Sequence, residues 1–404
     1  NPHARLIEQA PYSGRLLLTG IGALYHEAEA QPLDDAWLLL NDGNVEALGS
    51  GEPPRLDAAQ KHLDGGMVMP APLDSHTHLL FGGDRSEEFA SRARGESYEA
   101  RLAAGGGIHS TVLSTSQSSD EKLLANAMKR IEACQQLGVG GIEIKTGYGL
   151  SLEAEQRLMG LLQTLRNQSE LPIFPTLLVH VPPKCTSAAQ TVERACQQLI
   201  PQASELGFGF DVFIEKGAFS AEEAEPMLAE AARRGMRIHV HADQLSASGA
   251  AGLASKYGAR SAEHLEFASD KDLRAMADAG VAANLLPGAW LQTGCAKKPP
   301  IEAMRQVGIR MAVSTDLNPG SSYVYDLILA ASLAVSAFGL TVDEAFRGIT
   351  SVPSSLLNAP QLGHLQPGSK ARPLWMPLPN VAALFQRLGA PRTGYQFVAL
   401  KNAR

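Results

Sequence analysis

The sequence predicts an α/β fold: a (β/α)8 TIM-like barrel with a small composite β-sandwich domain drawn from both termini. Three observations carry this. Eight apolar runs recur at 67–74, 140–145, 173–180, 210–215, 236–241, 261–264, 281–286 and 309–316. Helix-like stretches at 120–137, 186–206, 220–234, 247–257 and 270–279 separate most of them, the alternation expected of parallel strands with helical crossovers. No Gly-x-Gly-x-x-Gly follows the first run, which argues against the doubly wound open sheet, the alternative reading of the same alternation.

Taken in order, residues 1–66 hold short β-like pieces at 16–21, 36–40 and 45–48, the last two joined by the hairpin signal Asn41-Asp42-Gly43-Asn44. Residues 67–361 form the expected barrel. Residues 362–404 again read as short strands broken by Pro and Gly, ending at 396–400, and complete the small β domain. The stretch 79–138 is long for one crossover and holds Arg85, Arg92, Arg94, Tyr98 and Gly105-Gly106-Gly107. Such an insertion after the first barrel strand is expected over the mouth, where binding residues collect.

Composition narrows the function classes. A chain of 404 residues with 45% hydrophobic and 19% charged content has ample core. A net charge of -7 without a Lys/Arg cluster gives no footing for nucleic acid. No apolar run reaches the length of a membrane span and no signal-peptide pattern opens the sequence. Cys134, Cys185, Cys196 and Cys295 show neither zinc nor redox spacing, so a reducing cytoplasm is the expected location.

The chemistry is expected at the strand ends. Asp74-Ser75-His76-Thr77-His78 closes the first run, and residues i and i+2 of an extended chain share a face, so both imidazoles project together. The fifth run ends in His239-Val240-His241-Ala242-Asp243-Gln244, the sixth in Glu263-His264, and the eighth in Ser314-Thr315-Asp316. Histidines on three strands and an aspartate on a fourth, all on one rim, point to a single metal ion. Three imidazoles and a carboxylate suit zinc first and iron second. His239 and His241 face the same way; His241 lies nearer the mouth and is the expected ligand, leaving His239 behind it or in packing. Lys145 ends the second strand rather than the fourth, away from a position bridging two metals. A serine nucleophile lacks its Gly-x-Ser-x-Gly elbow.

These residues resemble the signature of the amidohydrolase superfamily, whose barrels are of the metal-dependent hydrolase type. Within it, the blocks 74–85, Glu143-Ile144-Lys145-Thr146-Gly147-Tyr148-Gly149-Leu150, His241-Ala242-Asp243-Gln244-Leu245 and 314–322 are similar to the imidazolonepropionase family, over roughly residues 65 to 350. The resemblance implies one Zn2+ or Fe3+ per subunit on His76, His78, His241 and Asp316. It implies substrate contacts by Arg85, Tyr148, His180, Gln244, Asn318, Gly320 and Ser321, with His264 beside the reacting carbonyl. The implied reaction is ring opening of 4-imidazolone-5-propanoate by water to N-formimidoyl-L-glutamate, in histidine degradation, by a homodimer.

The residue types suit that chemistry. Arg85 can clamp a propionate through two parallel N–H bonds, and the turn 318–322 offers backbone N–H groups and hydroxyls to polar atoms. Asp316 takes the proton of the attacking water and returns it to the leaving nitrogen, His264 or the metal stabilises the oxyanion, and Gln244 holds the ring. Where the family carries a Tyr after Pro287-Gly288-Ala289, this chain has Trp290-Leu291, expected to alter the pocket wall. Alternative functions are another cyclic amidohydrolase, a heterocycle deaminase, or a metal-binding scaffold without catalysis.

Overall fold

The computed structural model describes residues 7–95, 107–184 and 186–400; Tyr98, Gly105, Gly106 and Cys185 lie outside the described residues. The chain begins with β1 (Glu8–Tyr12), β2 (Arg15–Leu24), β3 (Leu33–Asn41), β4 (Asn44–Ser50), β5 (Ala59–His62) and β6 (Met67–Pro70). The barrel strands follow as β7 (Leu73–Asp74), β8 (Gly141–Lys145), β9 (Ile173–Val179), β10 (Gly209–Ile214), β11 (Ile238–Ala242), β12 (Ser261–His264), β13 (Ala282–Leu285) and β14 (Met311–Val313). The chain ends with β15 (Pro373–Met376) and β16 (Tyr395–Ala399).

Strands β7 to β14 pair in sequence order, and every pair is parallel. Serine starts many of the helices between them. Ser119, Ser151, Ser187, Ser220 and Ser269 each accept a bond from an N–H in the first turn of the helix they precede, satisfying a donor that has no partner within the helix. The helix Ala221–Arg233 shows why these segments pack. Its Ala224, Met227, Leu228 and Ala231 recur at spacings of three and four and are all buried.

The first barrel strand differs from the expected run 67–74. Pro70 and Pro72 interrupt the run, and neither can donate to a ladder, so it splits. Met67–Pro70 pairs with β15 and β2 in the small sheet, and only Leu73–Asp74 pairs with β8. The seam between the first and eighth strands is therefore closed just beyond their ends. Thr77 bridges Leu317, the His78 N–H donates to Leu317 O at 2.9 Å, and the Asp316 N–H donates to His76 O at 3.0 Å. Buried Asp74 fastens the same seam, accepting from the Thr315 N–H at 3.2 Å and its hydroxyl at 2.6 Å. The segments that shut the barrel are thus the ones that carry three of the four expected ligands.

The terminal strands form one sheet, β1-β16-β15-β6-β2-β3-β4 with β5 also on β2, instead of the two separate sheets of a sandwich. It curls over its own core: the Gly43 N–H in the β3–β4 turn reaches the Tyr12 hydroxyl of β1 at 3.1 Å. Leu18, Leu24, Leu38, Leu40, Val68 and Phe397 fill the space between. β2 serves three partners: β3 along one edge, with an irregularity between Leu18 and Ile21, and on the other edge β5 beside its first half and β6 beside its second.

Candidate metal centre

His76, His78, His241 and Asp316 meet at the C-terminal mouth of the barrel. His76 and His78 flank Thr77 in extended chain, and their Nε2 atoms lie 3.1 Å apart. His241 Nε2 is 3.3 Å from His78 Nε2, and Asp316 Oδ1 is 3.4 Å and 3.3 Å from the Nε2 atoms of His76 and His78. A tetrahedron of ligands about 2.0–2.1 Å from one ion has edges of about 3.3–3.4 Å, so the spacing fits a single cation.

The supporting bonds set which nitrogen faces inward. His76 Nδ1 lies 2.8 Å from Glu263 Oε2, and His241 Nδ1 lies 3.1 Å and 3.0 Å from the two Asp211 oxygens. An N–H at each Nδ1 donates to its carboxylate, which turns both Nε2 lone pairs toward the common point. The carboxylates are held in turn. Ser261 Oγ donates to Glu263 and lies 2.8 Å from His239 Nδ1, which gives His239 its place behind the site. Lys145 Nζ sits 2.9 Å from Asp211 and 2.8 Å from Glu143, fully buried, and its ammonium is stabilised by those acids. An amine so paired is not a bridging ligand.

Charge supplies a second test. Glu143, Asp211, Glu263 and Asp316 are buried around the site against one lysine, a negative surplus that burial makes costly without a compensating cation. Burial and Lys145 oppose a charge on His76, yet Asp316 and Glu263 raise its pKa to about 9. Burial lifts the Asp316 carboxyl, but hydrogen bonds from His76 and His78 hold it well below the ordinary range, ionised. Donor set, spacing and charge all fit a resident metal ion.

A cavity of about 460 Å³ opens above this point. It is lined by His78, His241 and Asp316 and by all the expected substrate contacts: Arg85, Tyr148, His180, Gln244, Asn318, Gly320 and Ser321. His264 lines it too. Burial, with the neighbouring His241 and His76, drops its pKa to about 3 despite the opposing pull of Asp316, so the ring is neutral. Burial likewise takes His180 to about 4, and its Nδ1 lies 3.3 Å from Gly147 O. Burial pushes the Tyr148 hydroxyl up, so it stays a neutral donor. Asp316, Asp243, His264 and Leu265 have φ of 52°, 50°, 72° and 71°, left-handed backbone uncommon for residues with a Cβ and here concentrated where strands end at the site.

Two expectations change. The N–H groups of Gly320 and Ser321 are spent inside their own turn, donating to Asn318 Oδ1 at 2.8 Å and 2.7 Å. Asn318 satisfies the turn and bonds the Ser321 hydroxyl as well, so that wall has no free amide at Gly320 or Ser321. Trp290 does not line the cavity; its ring packs edge-on against Phe338, 5.3 Å between centroids, on the outer helix. The supporting Asp211, the Ser261–Glu263 pair and Glu88 beside Arg85 went unread in the sequence. For Asp211 a signal existed: an acid in the apolar strand Phe210-Asp211-Val212-Phe213-Ile214 needs a partner. Among the described residues, no helix is long and apolar enough to cross a membrane.

Residues 90–371 match the pattern of the Amidohydrolase family. An imidazolonepropionase of Deinococcus deserti is 40% identical over 367 residues, 88% of this chain and 91% of that protein. One from Paraburkholderia phymatum is 40% identical, covering 80% of this chain and 81% of the relative. One from Yersinia enterocolitica is 37% identical over 93% of each. Among solved structures, an atrazine chlorohydrolase from Arthrobacter aurescens TC1, complexed with zinc, superposes with a TM-score of 0.69 at 16% identity over 93% of this chain and 92% of that one. That likeness concerns the fold.

Proposed function

The chain belongs to the imidazolonepropionase family of the amidohydrolases, and from that premise we infer how its cavity opens the ring of 4-imidazolone-5-propanoate with water, giving N-formimidoyl-L-glutamate. It is a hydrolase of carbon–nitrogen bonds in cyclic amides, a step of histidine metabolism. The observation that carries the reading is one cavity lined both by three of the four clustered ligands and by an arginine suited to a carboxylate.

His76, His78, His241 and Asp316 would hold one ion, zinc first and ferric iron second as metals suited to three imidazoles with one carboxylate. When bound, such an ion acidifies a water and polarises a carbonyl oxygen. The chain's own residues do the rest. Arg85 receives the propionate. Tyr148, His180 and Gln244 hold the ring, the two aromatic rings standing 6.0 Å apart. Asp316, ionised at the end of the eighth strand, accepts the proton of the attacking water and passes it to the ring nitrogen as the C–N bond breaks. His264, neutral beside the reacting carbonyl, donates a hydrogen bond to its oxygen as negative charge develops there. Asn318, Gly320 and Ser321 close the wall. The unpaired thiols Cys134, Cys196 and Cys295 fit a cytoplasmic enzyme, and its family suggests a homodimer.

Metal-loaded protein incubated with 4-imidazolone-5-propanoate is expected to yield N-formimidoyl-L-glutamate, followed by mass spectrometry. Absence of that product, with turnover of a purine or pyrimidine instead, would assign the site to a heterocycle deaminase.

A further inference from the structure

Arg85 is already engaged before any ligand arrives. Its Nε donates to Glu88 Oε2 at 3.0 Å and its Nη2 to Glu88 Oε1 at 2.5 Å. Both side chains are largely covered and both line the cavity. Glu88 sits at the third position of the helix Ser86–Ala93, where an acid commonly reaches back to the backbone N–H of the capping residue. Here it takes the capping residue's side chain instead. Glu88 Oε2 also accepts from the Gly107 N–H at 2.9 Å, so the carboxylate is fixed from a second direction.

A guanidinium has five N–H groups in a rigid fork and two edges able to grip a carboxylate. Glu88 occupies the Nε–Nη2 edge. What remains is the Nη1 end, with two hydrogens on Nη1 and one on Nη2. Gly320 lies over the face of the guanidinium at Nη1, where any added Cβ would overlap Nη1 and Cζ, and leaves the in-plane hydrogens uncovered by that contact. Arg92 fixes this wall by donating to Gly320 O at 2.9 Å and to Gln292 O at 2.6 Å. The guanidinium is thus confined by an acid on one edge and a glycine on one face.

We propose that Glu88 is a positioning residue for substrate selection: it holds one edge of Arg85 so that the remaining Nη1 edge presents a preformed fork to the substrate's carboxylate tail. The inference rests on Arg85 being the clamp for that tail. Glu88 is a fixed support, not a stand-in that the substrate displaces. The two differ in sign: losing a support weakens tail binding, whereas losing a competitor strengthens it.

The test is steady-state kinetics of the metal-loaded full-length protein with 4-imidazolone-5-propanoate. Glu88→Ala is expected to raise KM about tenfold with kcat within about twofold, and Glu88→Gln, which keeps one acceptor, about threefold. In an Arg85→Met background, Glu88→Ala should add less than about twofold, because the support acts only through Arg85. A KM that is unchanged or lower in Glu88→Ala overturns the inference. So does an equal rise in the Arg85→Met background, which would trace the effect to Gly107. Failure of the clamp itself looks different: wild-type protein turns over the substrate, yet Arg85→Met leaves KM alone.

Discussion

The two ends of the cavity are built in different ways. At the metal end, the ligands stand on or directly after barrel strands, and the supports of His76 and His241 come from other barrel strands: Glu263 of β12 behind His76, Asp211 of the adjacent β10 behind His241, then Ser261 and Lys145 behind those. At the tail end, Arg85, Glu88, Arg92 and Asn318 stand on connections and one short helix, held by neighbours in sequence or by isolated backbone groups. Ligand geometry tolerates errors of only a few tenths of an ångström, which strands supply, whereas gripping a flexible tail can be left to loops. The end that does chemistry is rigid by topology, and the end that selects is rigid only by local bonding.

That contrast sets an order of effects. Asp316→Asn removes the proton acceptor at the rigid end, and kcat should fall by about 10³-fold or more; activity near wild type, measured on metal-loaded protein, would break the assignment. Asp211→Asn leaves His241 in place but loosens its tautomer. Metal affinity, read by competition with a chelator, should drop about 10- to 100-fold, and an unchanged affinity would mean that the strand alone orients the ring. Arg85→Met acts at the other end and should raise KM about 10- to 100-fold with kcat nearly constant. Ser321→Ala is the mildest, about twofold in KM, since the Ser321 hydroxyl already spends itself on Asn318. A larger effect there would show that the hydroxyl leaves Asn318 when substrate binds.

The same contrast explains what could be read from sequence. Strand alternation and strand counting bring His76, His78, His241, His264 and Asp316 to one rim, and the family resemblance implied which four of them hold the ion. Their supports were not legible, since pairing Asp211 with His241 or Glu263 with His76 depends on inter-strand register and barrel closure, which periodicity does not carry. The run 67–74 misled for the opposite reason: its apolar character was continuous while its hydrogen-bonding capacity, broken at Pro70 and Pro72, was not. At the tail end, Glu88 looked like an ordinary acid favoured by the helix dipole, and nothing local showed that its partner is the arginine three residues earlier.

The most direct test of a cavity divided into a rate-setting end and a selecting end is kcat/KM of wild type and Arg85→Met on two substrates, 4-imidazolone-5-propanoate and an imidazolone lacking the propionate. The division predicts that Arg85→Met loses about 10- to 100-fold on the tailed substrate and that both proteins treat the tail-less ring alike, within about twofold. A comparable loss on the tail-less ring would contradict it, because Arg85 would then be serving the chemistry and not the tail.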